Sequence, residues 1–97
     1  MPITVLLDLQ IKPEGLDGAY AEIHTILIDT RAFDGCLGVE VLVAADDPAH
    51  VILVERWASA EQDAVYRAWR AGDGATNLGT LLAAAPTISS FTTASDI

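Results

Sequence analysis

The sequence predicts an α+β domain in which helices cover one face of a four-stranded antiparallel sheet. Short segments whose apolar residues alternate along the chain indicate strands. Longer segments with apolar residues three and four positions apart indicate amphipathic helices. The segments follow the order β-α-β-β-α-α-β, which returns the chain twice to the same sheet. At 97 residues and 52% hydrophobic content, the range 1–97 fits a single domain.

A change of period separates the first strand from the first helix. Residues 3–11 place an apolar row on one side of a strand: Ile3, Val5, Leu7, Leu9 and Ile11. A turn at 12–15 follows. From 16 to 31 the apolar positions recur at helical steps, as a stripe of Leu16, Tyr20, Ile23, Leu27 and Thr30. Gly35 lies in the next turn, where glycine accepts the left-handed backbone conformation.

A hairpin follows in the middle of the chain. Alternating apolar residues predict a second strand over 37–43, and Asp46–Asp47–Pro48 predicts the hairpin loop. The β-branched run at 50–57 predicts the third strand.

Two helices and a strand are predicted after this hairpin. Ser59 with Gln62 three residues later fits a capping box, so a helix is predicted from Ser59 to about Ala71. A shorter helix is expected at roughly 75–84, where the sequence is rich in Ala and Leu, and Pro86 ends it. The β-forming residues at 87–93 predict the last strand.

This order of elements describes a ferredoxin-like protomer. Helices cover one face of its sheet, whereas the other face carries Ile, Val and Leu side chains that a monomer would leave in water. A chain of this size buries only roughly 60–65% of its unfolded surface, which makes it marginally stable alone. We therefore expect a homodimer in which a second sheet covers the open face.

The charge of the chain excludes some partners. Fourteen acidic residues against five basic ones give a net charge of −9, which disfavours nucleic acid and anionic membrane surfaces because both require basic patches. The acidity suits a cationic partner or serves solubility alone. Cys36 is the only cysteine, so no intrachain disulfide can form. With no basic leader and no apolar run near ~18 residues, we expect a soluble cytoplasmic protein.

Common catalytic motifs are missing. His24 and His50 fall on a predicted helix and at a strand start, without the spacing of metal ligands. Gly72 and Gly74 do not belong to a phosphate-binding loop, and no serine elbow occurs. A metal site is therefore not expected.

One stretch instead carries a resemblance to a known family. A strand ends in Glu55-x-Trp57, Ser59 opens a helix, and Tyr66 follows the tryptophan by nine positions. Further short motifs lie upstream at Lys12–Pro13–Glu14, Phe33–Asp34–Gly35–Cys36–Leu37 and Asp46–Asp47–Pro48. In order and spacing these motifs resemble the antibiotic biosynthesis monooxygenase family over nearly the whole chain. The resemblance implies a dimeric α/β barrel of ferredoxin-like protomers.

The same resemblance implies an activity. It implies a monooxygenase that needs no flavin or metal and oxidises a small electron-rich, polycyclic phenol-like aromatic, whose anion itself reduces dioxygen. The protein would supply a dry apolar cleft, a base and stabilisation of the anion. The alternative is a non-catalytic dimeric module of the same fold that binds a ligand or has a structural role.

The resemblance also points to residues on the third strand and its helix. Trp57 shares a strand face with Leu53 and Glu55, and is either a stacking wall for the substrate or a core tryptophan. Tyr66 stands where many members carry histidine, and is either a cleft residue with a hydrogen-bonding tip or an ordinary helix-flank tyrosine. Glu55 is either a carboxyl that burial keeps protonated or part of an ion pair, with Arg67, Arg70 or the partner's Arg56.

Tyr20 and His24 of the first helix are expected to close the same cleft. His24 is either a general base, since imidazole changes protonation near neutral pH, or a solvated helix residue. Cys36 is expected to be a small buried apolar group rather than a nucleophile. We thus predict His24 and Tyr66 as catalytic residues, and four residues as substrate-binding: Tyr20, Leu53, Glu55 and Trp57.

Departures from the family pattern limit what the resemblance implies. Members that degrade haem carry an asparagine on strand one and a histidine on the helix after the tryptophan. This chain offers Leu6 and Asp8 for the first and Tyr66 for the second, so we do not expect tight haem binding. Phenol-oxidising members carry polar residues in strand three and early in its helix, where this chain has Leu53 and Asp63.

Overall fold

Four strands and two α-helices make up the fold, seen in a computed structural model that describes residues 1–97. The strands are β1 (Ile3–Gln10), β2 (Cys36–Ala44), β3 (Asp47–Trp57) and β4 (Thr87–Phe91), and the helices are α1 (Leu16–Ala32) and α2 (Ala60–Ala71). All neighbouring strands pair antiparallel, in the order β2-β3-β1-β4. The predicted α+β, ferredoxin-like protomer is confirmed.

The core lies between the sheet and α1. Every second residue of β3 from Ala49 on is buried, namely Ala49, Val51, Leu53, Glu55 and Trp57, as the alternation of strand side chains requires. Ile23 and Leu27 of α1 belong to the same buried cluster as Val51 and Leu53. This packing fixes α1 across the middle of the sheet.

The entry to α2 is set by a cap and a turn. Ser59 Oγ accepts a hydrogen bond from the Gln62 backbone N–H at 3.2 Å, as predicted for an N-cap. The Gln62 side chain lies directly over Gly35, whose φ is +90°. A Cβ at that position would collide with Gln62, so the turn needs glycine for both its backbone conformation and its space.

The prediction of a helix at 75–84 is wrong. Only a 3-10 turn, Leu78–Leu81, forms there. The flanking backbone instead bonds to the end of β1: Lys12 N donates to Leu81 O at 3.0 Å and Ala83 N to Gln10 O at 2.7 Å. These bonds to a distant strand hold the segment extended, and a helix this short gains too little from its own hydrogen bonds to compete.

The hairpin between β2 and β3 is tighter than expected. Asp47 and Pro48 belong to β3, which leaves a two-residue turn at 45–46. The Asp47 carboxylate accepts a hydrogen bond from Ala49 N at 2.9 Å, which supports the first residues of the strand.

The sheet face opposite the helices is apolar in its centre and charged at its margins. Leu6 pairs with Val54 and Asp8 with Ile52, so these side chains share the outer face. Leu42 of β2 and Phe91 of β4 are about half exposed on this face. Two polar pairs flank the apolar centre: Asp8 and His50 are hydrogen-bonded at 2.9 Å, and Glu40 and Arg56 form an ion pair at 3.4 Å. No helix is both long and apolar enough to cross a membrane.

Candidate functional site

A cleft of about 390 Å³ opens between the inner sheet face and the two helices. Its floor and helical sides come from β1, β3, α1 and α2, through Leu7, Leu53, Glu55, Leu27, Thr30, Tyr66, Arg67 and Arg70. The irregular segment before β4 forms the far wall, through Thr76, Leu78, Gly79, Leu82 and Pro86. The cleft therefore exists because 75–84 is not a helix that packs onto the sheet.

Three polar side chains of the cleft bind one another. The Tyr66 hydroxyl lies 2.7 Å from Thr30 Oγ1 and accepts a hydrogen bond from Arg70 Nε at 2.8 Å. Arg70 also donates to Thr30 Oγ1 at 3.1 Å and to the carbonyls of Ile26 and Gly74, each at 3.0 Å. Thr30 Oγ1 donates to Ile26 O at 3.1 Å. All three groups are thereby hydrogen-bonded within the protein, as buried polar groups require.

Glu55 forms the second polar feature of the cleft. Although only 2% exposed, its carboxylate is ion-paired with Arg67, and Trp57 Nε1 donates to its Oε1 at 3.0 Å. Arg67 also donates to Asp63 at 3.0 Å, across one turn of α2. Of the partners considered for Glu55 (Arg67, Arg70 and the partner's Arg56), Arg67 forms the ion pair in this structure.

One oxygen of Glu55 takes both hydrogen bonds. Trp57 Nε1 and Arg67 Nη2 both donate to Oε1, and Oε2 has no protein donor. Oε2 is also not sealed in the core, because no fully buried side-chain oxygen lacks a partner. Glu55 is one of the residues that line the cleft.

Trp57 lies beneath the cleft rather than in its wall. It is fully buried, and its ring packs on Tyr66 with centroids 4.8 Å apart. Phe33 contacts both rings edge-on, at 6.1 Å from Trp57 and 5.1 Å from Tyr66. Tyr66 thus separates Trp57 from the open space, and this packing is that of the core alternative.

The predicted site residues divide into two groups. Leu53, Glu55 and Tyr66 meet at the cleft. Tyr20 and His24 lie on the other flank of α1, in a groove of about 240 Å³ beside Val41 and Val43 of β2. The Tyr20 hydroxyl donates to Pro48 O there. The structure therefore does not bring Tyr20 and His24 to the cleft that contains Tyr66.

Some cleft residues are not evident from the family motifs. Arg67 and Arg70 enter the sequence analysis only as partners for Glu55, although their spacing of four from Asp63 and Tyr66 is a signal for helix-surface pairing. Thr30 appears only as part of an apolar stripe. On β1, Leu7 lines the cleft, whereas Leu6 and Asp8 lie on the outer face.

Other reactive groups lie outside the cleft. Burial raises the pKa of the Cys36 thiol, and the nearby Glu55 carboxylate adds to this rise against the opposing effects of a Gly38 backbone hydrogen bond and Arg31. Cys36 is half-buried and packs against the Trp57 cluster, as expected for a small apolar group. No group of three or more His, Cys, Asp or Glu side chains is placed to hold a metal ion.

The fold and the cleft define a small α+β protein with an open cleft between its sheet and its helices. The model of the antibiotic biosynthesis monooxygenase family matches residues 2–78. The chain belongs to this family, as the motifs around Trp57 predict. Membership supports a monooxygenase that acts on a small molecule. A comparison with curated protein sequences finds no match.

Solved structures share the fold at low sequence identity. Rv0793 from Mycobacterium tuberculosis is 22% identical, with a TM-score of 0.79 over 99% of this chain and 98% of that one. A Deinococcus radiodurans protein is 21% identical, with a TM-score of 0.83 over 98% and 95%. A structure described as an antibiotic biosynthesis monooxygenase is 21% identical, with a TM-score of 0.81 over 95% and 98%.

Proposed function

We propose that this protein is a cofactor-independent monooxygenase that oxidises a small, electron-rich phenol-like aromatic. The observation that carries this proposal is the cleft of about 390 Å³, which combines apolar walls with the guanidinium groups of Arg67 and Arg70. Its volume lies in the ~300–1,000 Å³ range of small-molecule sites. Apolar walls suit an aromatic ring, and fixed cations favour the oxyanion that forms when a phenol loses its proton.

The proposed reaction needs no external reductant, as the probe 1,5-dihydroxynaphthalene illustrates. Loss of the phenolic proton leaves the electron pair on oxygen, and the electron-rich anion then reduces dioxygen. The products are 5-hydroxy-1,4-naphthoquinone and water. One atom of dioxygen becomes the new quinone oxygen, and the other leaves as water with the two hydrogens that the diol loses. The substrate supplies all four electrons.

The residues at the cleft have different roles in this proposal. Leu53 and the Tyr66 ring contact the aromatic substrate, and Trp57 supports Tyr66 from below. Glu55 faces the phenolic edge of the substrate. The catalytic role of the Tyr66 hydroxyl stays a prediction. The catalytic role of His24 and ligand binding by Tyr20 also stay predictions, and these two residues of α1 lie in a different groove.

We also propose that two copies pair through the outer sheet face. The support is the apolar centre formed by Leu6, Ile52 and Val54, together with the half-exposed Leu42 and Phe91. Burying such a patch against its own copy removes apolar surface from water without separating the flanking polar pairs from solvent.

The test is oxidation of 1,5-dihydroxynaphthalene under ¹⁸O₂ by protein treated with a chelator and free of flavin. We expect one dioxygen consumed per diol and one ¹⁸O atom in the quinone. Label entering from water instead, or no oxygen uptake above the buffer rate, would refute the monooxygenase.

The non-catalytic binding module predicts a different result in the same experiment. The mutual hydrogen bonding of Tyr66, Thr30 and Arg70 favours this alternative, because it leaves few polar groups free to react. Such a module would bind the diol, measured by tryptophan fluorescence, and would consume no oxygen.

A further inference from the structure

Two polar atoms of the cleft retain free hydrogen-bonding capacity. The hydroxyls of Tyr66 and Thr30 bind each other and Arg70. Glu55 by contrast accepts both of its hydrogen bonds on Oε1, and Arg67 donates through Nε and Nη2 only. Glu55 Oε2 and Arg67 Nη1 are thus an acceptor and a donor without a protein partner, on two side chains that pair with each other.

We infer that Glu55 is the proton acceptor for the substrate phenol, and that Arg67 binds the phenolate that results. This inference rests on the proposed function, since it places a phenol in the cleft. The phenolic O–H bond breaks, its electron pair stays on the phenol oxygen, and the proton bonds to Glu55 Oε2. Trp57 is a positioning residue, because its indole N–H and Arg67 together hold Oε1 and so orient Oε2.

The charges of the cleft favour this transfer. Arg67 pairs with two carboxylates, Glu55 and Asp63, and Arg70 adds a second cation, so the charges of these four side chains sum to zero with a neutral phenol bound. After transfer Glu55 is a neutral acid and the phenolate carries the negative charge, so the sum is unchanged. Arg67 then exchanges one anionic partner for another, so its charge stays paired.

The other candidate bases are placed less well. His24 lies across α1 from the cleft, in the groove formed with Val41 and Val43. Tyr66 contributes its ring to the cleft, but its hydroxyl is bound by Thr30 and Arg70. Glu55 is the carboxylate that lines the cleft with a free oxygen.

The test uses 2-hydroxyanthraquinone, a planar phenol that changes colour on ionisation. Its central ring is already oxidised to a quinone. At a pH where the free probe is neutral, we expect wild-type protein to bind it as the coloured anion. Glu55→Gln should bind the probe mainly in neutral form, with at least about a tenfold lower anion fraction. It should also oxidise 1,5-dihydroxynaphthalene about 10²–10⁴-fold more slowly, the usual loss when a general base is removed.

The control variant is Glu40→Gln, the same substitution on the outer sheet face, where Glu40 pairs with Arg56. It should leave the anion fraction and the oxidation rate unchanged. Infrared difference spectra of the wild-type complex give a readout that does not depend on Glu55→Gln folding. Binding of the anion should produce a protonated-carboxyl band.

The outcomes separate this inference from the proposed function. Three outcomes would overturn Glu55 as acceptor and leave oxidation of the diol intact. The first is an equal anion fraction in wild type and Glu55→Gln. The others are a neutral probe bound to wild type and an anionic probe bound without the protonated-carboxyl band. Ionisation of the probe without oxygen uptake from the diol would refute the monooxygenase and support the acceptor. Failure of wild type to bind either aromatic would overturn both.

Discussion

Replacing Trp57 with alanine separates a core role of this residue from a ligand-binding one. The indole is fully buried, packs on Tyr66 and Phe33, and donates a hydrogen bond to Glu55. Truncation of such an aromatic costs about 3–5 kcal/mol, and the lost hydrogen bond to a buried carboxylate is part of that sum. Because a domain of this size is stable by about 5–15 kcal/mol, the variant should fold but unfold much more readily.

The assay is urea denaturation followed by circular dichroism, together with binding of 2-hydroxyanthraquinone to the folded variant. With a urea slope of about 1–2 kcal/mol/M, a loss of about 3–5 kcal/mol should lower the unfolding midpoint by roughly 1.5–5 M. Binding should weaken by less than about tenfold, because Tyr66 separates Trp57 from the cleft. A midpoint shifted by less than ~0.5 M with binding abolished would show that Trp57 is a ligand wall.

Four further results are expected. Tyr66→Phe should lose about 1–3 kcal/mol of unfolding free energy, because it removes a hydroxyl bonded to the buried Thr30 and the half-buried Arg70; an unchanged unfolding free energy in urea denaturation would show that this hydrogen-bond network does not stabilise the fold. Wild type should sediment as a dimer at micromolar concentration and Ile52→Lys as a monomer, while Val65→Lys on the exposed side of α2 should remain a dimer; a monomeric wild type would remove the interface. Titration with haemin should give no saturable Soret band, and submicromolar saturation that is lost in Tyr66→Phe would contradict this. Burial raises the pKa of the Cys36 thiol, so its thiolate is rarer than that of a free thiol and disulfide-exchange labelling should stay slow until the pH exceeds ~9; rapid labelling at neutral pH would contradict this.

The sequence predicts the strands and the two long helices because each depends on local period. The alternation around Leu53 and the Ser59 cap are properties of neighbouring residues, and both occur where expected. Local period does not predict the structure of the segment at 75–84. Its hydrogen-bond partners, Gln10 and Lys12, lie about seventy residues away, and no local pattern contains them.

The candidate site is predicted in part for the same reason. Leu53 and Glu55 share a strand face by alternation, and Tyr66 lies two turns along the helix that follows. Tyr20 and His24 are misplaced because a helix packed across a sheet has two flanks, and the α1 stripe does not specify which flank meets which groove. The contact of Thr30 with Tyr66 joins residues 36 positions apart, which only the tertiary structure brings together.

Filling the cleft tests most directly whether it is the catalytic site. Gly79 is an exposed residue that lines the cleft, and a Cβ there meets no atom within 4 Å, so Gly79→Trp adds bulk at the edge of the cleft without a clash with the fold. Gly18 on α1 has the same free space away from the cleft, which makes Gly18→Trp the matched control. We predict that Gly79→Trp lowers oxidation of 1,5-dihydroxynaphthalene at least tenfold and that Gly18→Trp leaves it unchanged. Full activity in a folded Gly79→Trp variant would contradict the assignment of this cleft.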